Sequence, residues 1–182
     1  MRGFGPFRAL ANDASIRTLH WDRGHLVRAS VQFGMAAGGT PAVPVKPKYF
    51  GLRPQLCDQL IAEARAAYPN ECCGLIEGVR HDSVIEALKL HPARNLASRA
   101  DRFEIDPMEQ FRLLHSLRDT DRDIVGCYHS HPDGEAVPSE HDLAMAGEED
   151  FVWLIAAIRQ SEAGEIAAYV FATGRFQRLA LV

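Results

Sequence analysis

Apolar positions recur along this chain in two rhythms, one of helical and one of strand length. Leu56, Leu60, Ala64 and Ala67 repeat every three or four residues between Pro54 and Pro69. This predicts a helix over 54–68, since proline suits a first helical turn and stops a last one. Met108, Phe111, Leu114 and Leu117 repeat the rhythm behind Asp106-Pro107 and predict a second helix to about residue 117, with these four residues on one side. Short apolar runs occupy 72–79, 83–90, 123–129, 151–158, 166–172 and 176–182. The first two, joined by Arg80-His81-Asp82, read as an antiparallel pair, and a short helix is expected from Ser139. About six strands and three helices without an internal repeat imply an α/β fold, a mixed β-sheet with helices packed against it.

Residues 1–34 carry neither rhythm and are rich in Arg, Gly, Ala and Ser. The Gly/Pro-rich stretch from Met35 to Pro44 follows, with the composition of a linker. Residues 1–46 are therefore expected to be a disordered or weakly ordered leader and linker, and 47–182 the folded domain. Met35 is an alternative start, and an Arg-rich transit peptide an alternative reading of the leader.

Composition narrows the function. Hydrophobic residues make up 47% and charged residues 24% of the 182, ordinary for a soluble globular chain. The net charge of −4 argues against a nucleic-acid footprint. Residues 1–34 hold five Arg against two Asp, a balance of +3, so the remainder carries −7 and suits a neutral or basic protein partner better than DNA. Cys57, Cys72, Cys73 and Cys127 show no Cys-x-x-Cys spacing, and their apolar neighbours suggest buried thiols in a reducing compartment. No apolar stretch approaches the roughly 18 residues of a membrane span, and no secretory signal is evident. A cytoplasmic protein without membrane or nucleic-acid partners is expected.

The chemistry concentrates in His129-Ser130-His131-Pro132 and Pro138-Ser139-Glu140-His141-Asp142. If 123–129 is a strand, its alternation points His129 and His131 the same way. Asp142 follows His131 after ten residues, enough for a loop to double back. Two imidazoles and a carboxylate form a three-ligand set that leaves a fourth zinc position open, the pattern of a catalytic rather than structural site. Such a hydrolase also needs a base and an oxyanion donor. Glu71, directly before an apolar strand, is the best base, with Glu77 and Glu104 as rivals that periodicity does not separate. Ser139 is the natural hydroxyl donor, and Ser-x-x-Asp also reads as a helix N-terminus with Ser139 as cap.

Together these residues resemble the JAMM (MPN+) metallopeptidase family. Glu71-Cys72-Cys73-Gly74-Leu75-Ile76-Glu77-Gly78 matches the family's glutamate-bearing strand. Val125-Gly126-Cys127-Tyr128-His129-Ser130-His131-Pro132 matches its His-x-His-Pro strand, and Pro138-Ser139-Glu140-His141-Asp142 its Ser-x-x-Asp loop. Asn95 and Phe103-Glu104-Ile105-Asp106-Pro107 are similar to a weaker element between them. Cys127 departs from the pattern, where an aromatic residue is more usual. The resemblance implies a cytidine-deaminase-like core and one Zn2+ per chain held by His129, His131 and Asp142. It further implies Glu71 as general base and acid, and Ser139 as oxyanion stabiliser. The implied reaction is hydrolysis of a peptide or isopeptide bond at the C-terminal tail of a ubiquitin-like or sulfur-carrier protein ending in Gly-Gly.

Other classes fit less well. A non-catalytic scaffold of the same family would not need all four polar residues. A DNA-repair-associated relative fits poorly with the acidic body. An amidohydrolase barrel needs more residues and ligands than this chain offers, and a nucleoside deaminase wants His-x-Glu and Pro-Cys-x-x-Cys, which are absent.

Overall fold

The computed structural model describes residues 17–22, 25–30, 46–159 and 164–182. Residues 1–42 and 43–182 form separate units. In the first, β1 (Arg17–Asp22) pairs antiparallel with β2 (His25–Ser30), from Arg17↔Ser30 to Asp22↔His25. The rest of the leader expected over 1–46 lies almost entirely outside the described residues.

The second unit contains β3 (Tyr49–Gly51), α1 (Pro54–Ala67), β4 (Cys73–His81), β5 (Val84–Ala93), α2 (Pro107–Ser116), β6 (Asp123–Pro132), α3 (Glu140–Met145), β7 (Val152–Ile158), β8 (Glu165–Ala172) and β9 (Arg175–Leu181). Helix α1 starts at Pro54, whose missing N–H is one that a first turn leaves unpaired anyway. It buries Leu60 and Ala64, with Leu56, Cys57 and Ile61 packed alongside, which is the stripe its sequence shows.

Helix α2 corrects its expected face. Asp106 caps it, accepting from Met108 N–H at 2.9 Å, but Met108 and Phe111 are exposed, while Leu113 and Leu117 are buried and Leu114 is half-buried. At about 100° per residue, Leu113 lies about 200° around the helix from Phe111. The helix has apolar residues on both sides, and only packing against the sheet selects one.

The sheet is mixed, as expected, but it closes into a barrel in the order β3-β5-β4-β6-β7-β8-β9 instead of remaining an open layer. The closing strand is β3, parallel to both β5 and β9. It has three residues, too few for an apolar rhythm, which is why about six strands were expected here and seven form. The β4–β5 turn also falls later than Arg80-His81-Asp82. Arg80 and His81 remain in the ladder and the turn is Asp82-Ser83, with Asp82 in the left-handed region at φ 42°. A short polar residue tolerates that conformation.

Two apolar clusters lie on opposite faces of the sheet. One gathers Phe50, Ile76, Tyr128, Leu154 and Val170 against Leu60 and Ala64 of α1. The other gathers Cys73, Leu75, Cys127, Ile155 and Tyr169 against Leu113 and Leu117, with Phe103 and Ile105 from the loop before α2. Strand β7 is buried at every residue, as its uninterrupted apolar run requires of a strand covered on both faces. Among the described residues no helix is long and apolar enough to cross a membrane.

Strands β6 and β7 are parallel, from Gly126↔Val152 to Pro132↔Ile158. A parallel pair needs a crossover, and residues 133–151, including α3, form it. At Gly126 the neighbouring strand leaves no room for a side chain. A Cβ there would press on the Val152 carbonyl and stand 2.7 Å from Val152 Cβ. Gly126→Ala should therefore destabilise the domain by about 1–3 kcal/mol through overpacking. Urea unfolding monitored by Trp153 fluorescence measures this, and an unchanged midpoint would contradict the close approach.

Candidate metal centre

Strand pairing builds the centre. β4 runs antiparallel to β6 with Cys73 opposite His129, so the start of β4 lies beside the end of β6. Ser130 continues the contact, its N–H donating to Cys72 O at 3.1 Å and its Oγ accepting from Cys72 N–H at 2.9 Å. Glu71 is thereby brought level with His131. The crossover out of β6 carries Asp142 back over the same edge on the first turn of α3.

His129, His131 and Asp142 each present a ligand atom within 4.8 Å of the others. The two Nε2 atoms are 3.0 Å apart, His129 Nε2 is 3.4 Å from Asp142 Oδ1, and His131 Nε2 is 3.5 Å from Asp142 Oδ2. His131 Nδ1 donates to Glu135 O at 2.8 Å. A carbonyl can only accept, so the proton sits on Nδ1 and Nε2 keeps its lone pair for the centre. His129 is fully buried, its ring stacked on Phe103 with centroids 4.4 Å apart and met edge-on by Trp153 at 5.9 Å. Its Nδ1 has no hydrogen-bond partner among the described residues.

Ser139 fixes Asp142. The serine N–H and Oγ–H both donate to Asp142 Oδ2 at 2.7 Å, and Asp142 N–H donates back to Ser139 Oγ at 3.1 Å. This is a reciprocal capping box, and in it the Ser139 hydroxyl is engaged by the aspartate. Of the three acids considered as base, Glu71 is buried and feels the charges of His131 and Asp142. Glu77 is buried elsewhere, bound to His91 Nε2 at 2.7 Å and Arg122 Nη1 at 2.8 Å. Glu104 is exposed. His141 is half-buried and outside the cluster.

The electrostatics suit a cation. Burial pushes the Asp142 carboxyl up, but the facing imidazoles of His129 and His131 and the Ser139 backbone N–H outweigh it and hold it well below the usual range. Burial lowers the His129 imidazole. The same desolvation acts on His131, but Asp142 and the Glu135 carbonyl outweigh it and raise that ring. Glu71 is raised to about 8, mainly by burial, with His131 opposing and Asp142 and Asp101 adding to the rise. Two facing ring nitrogens and a firmly ionised carboxylate are a donor set for a borderline divalent ion, which takes the place of protons. The residues fit a metal. Phe103, whose place in the sequence carried no role of its own, proves to be the ring on which His129 rests.

The comparisons with known proteins fall in line. The family described as prokaryotic homologs of the JAB domain matches residues 53–172. A desampylase of Haloferax volcanii is 30% identical over 129 residues, 68% of this chain and 88% of the relative. A CysO-cysteine peptidase of Mycobacterium bovis is 28% identical over 123 residues, 68% of this chain and 83% of the relative. The solution structure of a Desulfitobacterium hafniense protein superposes with a TM-score of 0.67 at 26% identity, covering 73% of this chain and 91% of its own.

Because Ser139 both caps α3 and holds Asp142, Ser139→Ala should lower stability by about 1 kcal/mol. Guanidinium unfolding of the two proteins checks this, and equal midpoints would show that the cap carries no stabilisation.

Proposed function

Because the chain belongs to the family of prokaryotic homologs of the JAB domain, we propose that it is a zinc metallopeptidase acting on the C-terminal tail of a ubiquitin-like or sulfur-carrier protein. The bond hydrolysed is the peptide or isopeptide bond that follows a terminal Gly-Gly. One observation carries this reading: His129, His131 and Asp142 converge at the edge where the buried acid Glu71 also lies. The similarity to a desampylase and a CysO-cysteine peptidase supports the substrate class.

His129 Nε2, His131 Nε2 and an Asp142 carboxylate oxygen would hold one Zn2+, with a position left open. A zinc ion bound there supplies Lewis acidity toward a water molecule and the scissile carbonyl. The residues do the rest. Glu71 receives the proton that water gives up and delivers it to the leaving amine. Burial raises its proton affinity, which suits a group that takes up a proton and gives it back. Ser139 is the oxyanion donor, exchanging its bond to Asp142 for one to the substrate oxygen. Phe103 and Trp153 keep water from His129 and hold the ring in place.

The catalytic domain is read as 47–182, and the cytoplasm as the site of action, where Cys57, Cys72, Cys73 and Cys127 remain free thiols. A cytidine-deaminase-like core belongs to the same reading. The mixed sheet, with α1 against one face and α2 against the other, supports it.

The test uses a ubiquitin-like carrier extended past its Gly-Gly by a short peptide, with cleavage followed by mass. Glu71→Gln should retain one zinc per chain and lose turnover by roughly 100-fold or more. His129→Ala and Asp142→Ala should lose the metal itself, and chelation of the native protein should abolish cleavage until zinc is restored. Full activity in Glu71→Gln, or in metal-stripped protein, would overturn the reading.

A further inference from the structure

The backbone of Glu71 is held by something other than the sheet. The ladders of β4 begin at Cys73 on both sides, so the N–H and carbonyl of Glu71 lie before them, and β6 reaches this peptide only through the Cys72 N–H, which donates to Ser130 Oγ at 2.9 Å. Its N–H donates to Ala100 O at 3.2 Å, and its carbonyl accepts from Asn95 Nδ2 at 3.0 Å. Both partners belong to the loop 94–106 between β5 and α2.

The Asn95 amide is fully used. Nδ2 also donates to Arg102 O at 3.0 Å, while Oδ1 accepts from Ala97 N–H at 2.9 Å and Glu104 N–H at 3.0 Å. Two donor hydrogens and two lone pairs meet four backbone groups, the whole capacity of a carboxamide. Turning the amide over would set oxygen against two carbonyls, so this one orientation is enforced. Leu96 N–H to Glu104 O at 2.8 Å and the Asn95↔Ile105 bridge close the neck of the loop. Phe103 of the same loop stacks on His129. One loop thus grips the backbone of the acid and the ring of a metal-ligating histidine.

We propose that Asn95 is the positioning residue for Glu71, fixing the peptide from which the carboxyl is presented to the His129–His131–Asp142 cluster. The inference rests on the general-base role given to Glu71 above. Asn95 touches neither substrate nor metal. Without it, the Glu71 carbonyl loses its partner and the residue is held by the Ala100 contact behind and the Cys72–Ser130 bonds ahead, and a displacement of about 1 Å costs roughly 100-fold in rate.

Asn95→Asp keeps the acceptor for Ala97 and Glu104, removes both donors and sets a carboxylate oxygen against the Glu71 and Arg102 carbonyls. The variant should bind zinc at one ion per chain, because the ligands stand on β6 and α3. On the same extended carrier, kcat should fall roughly 10- to 100-fold with KM little changed. Amide exchange at Glu71 should accelerate while Leu75 and Ile76 stay protected. In the Glu71→Gln background the substitution should have no further effect on residual turnover, because it acts only through the lost carboxylate. A measurement on the unsubstituted protein stands apart from any folding defect: the Glu71 amide should exchange about as slowly as that of Ile76. Exchange of Glu71 at the rate of an open loop would refute the proposal. So would native kcat in Asn95→Asp, loss of its zinc, or an equal rate loss in the Glu71→Gln background. Full turnover in Glu71→Gln alone would instead remove the base assignment, and this proposal with it.

Discussion

The antiparallel register of β4 on β6 is the constraint from which the centre follows. With Cys73 opposite His129, the beginning of one strand and the end of the other share an edge, and an acid and two imidazoles that are far apart in the chain face one another. Alternation makes this register unforgiving, since a slip of one residue would exchange the faces of the whole strand. Tyr128 helps to pin it. Its ring enters the cluster under α1, and its hydroxyl donates to Glu63 at 2.6 Å. Gly74 pins it from the other strand, because a Cβ there would collide with the His91 carbonyl and the Tyr128 ring.

The parallel pairing of β6 with β7 brings in Asp142, the third candidate ligand. A chain that leaves β6 and must enter β7 in the same direction has to cross back over the sheet, and α3 rides on that crossover. The cap at Ser139 gives the helix start a second effect, because the hydrogen bonds that satisfy the first turn also orient the Asp142 carboxylate. Burying this carboxylate is tolerable because the two imidazoles and the serine compensate it. Glu71 has no comparable compensation and retains its proton to a higher pH. The contrast separates an acid that holds its charge from one whose burial favours the protonated form.

Much of this was legible in the order of residues. Proline positions and the Leu56–Leu60–Ala64 stripe located α1 and its buried face, and the apolar runs located six of the seven barrel strands. The spacing of His129, His131 and Asp142 singled out residues that the fold brings within 4.8 Å. Tyr49–Gly51 was not legible, because a three-residue strand is defined by its neighbours on both sides and not by its own rhythm. Nor was the face of α2, where apolar side chains point both ways and the sheet covers only one.

Periodicity, prolines and residue type act over a few positions, and they set the local elements and the chemical character of the His129–His131–Asp142 cluster. Only the tertiary structure decided which of Glu71, Glu77 and Glu104 lies beside the histidines. That choice depends on strand partners fifty or more residues away, and on His91 and Arg122 having already engaged Glu77. Likewise, only the fold could show that Asn95 holds Glu71, since its four bonds reach backbone groups whose positions exist only once the loop has closed.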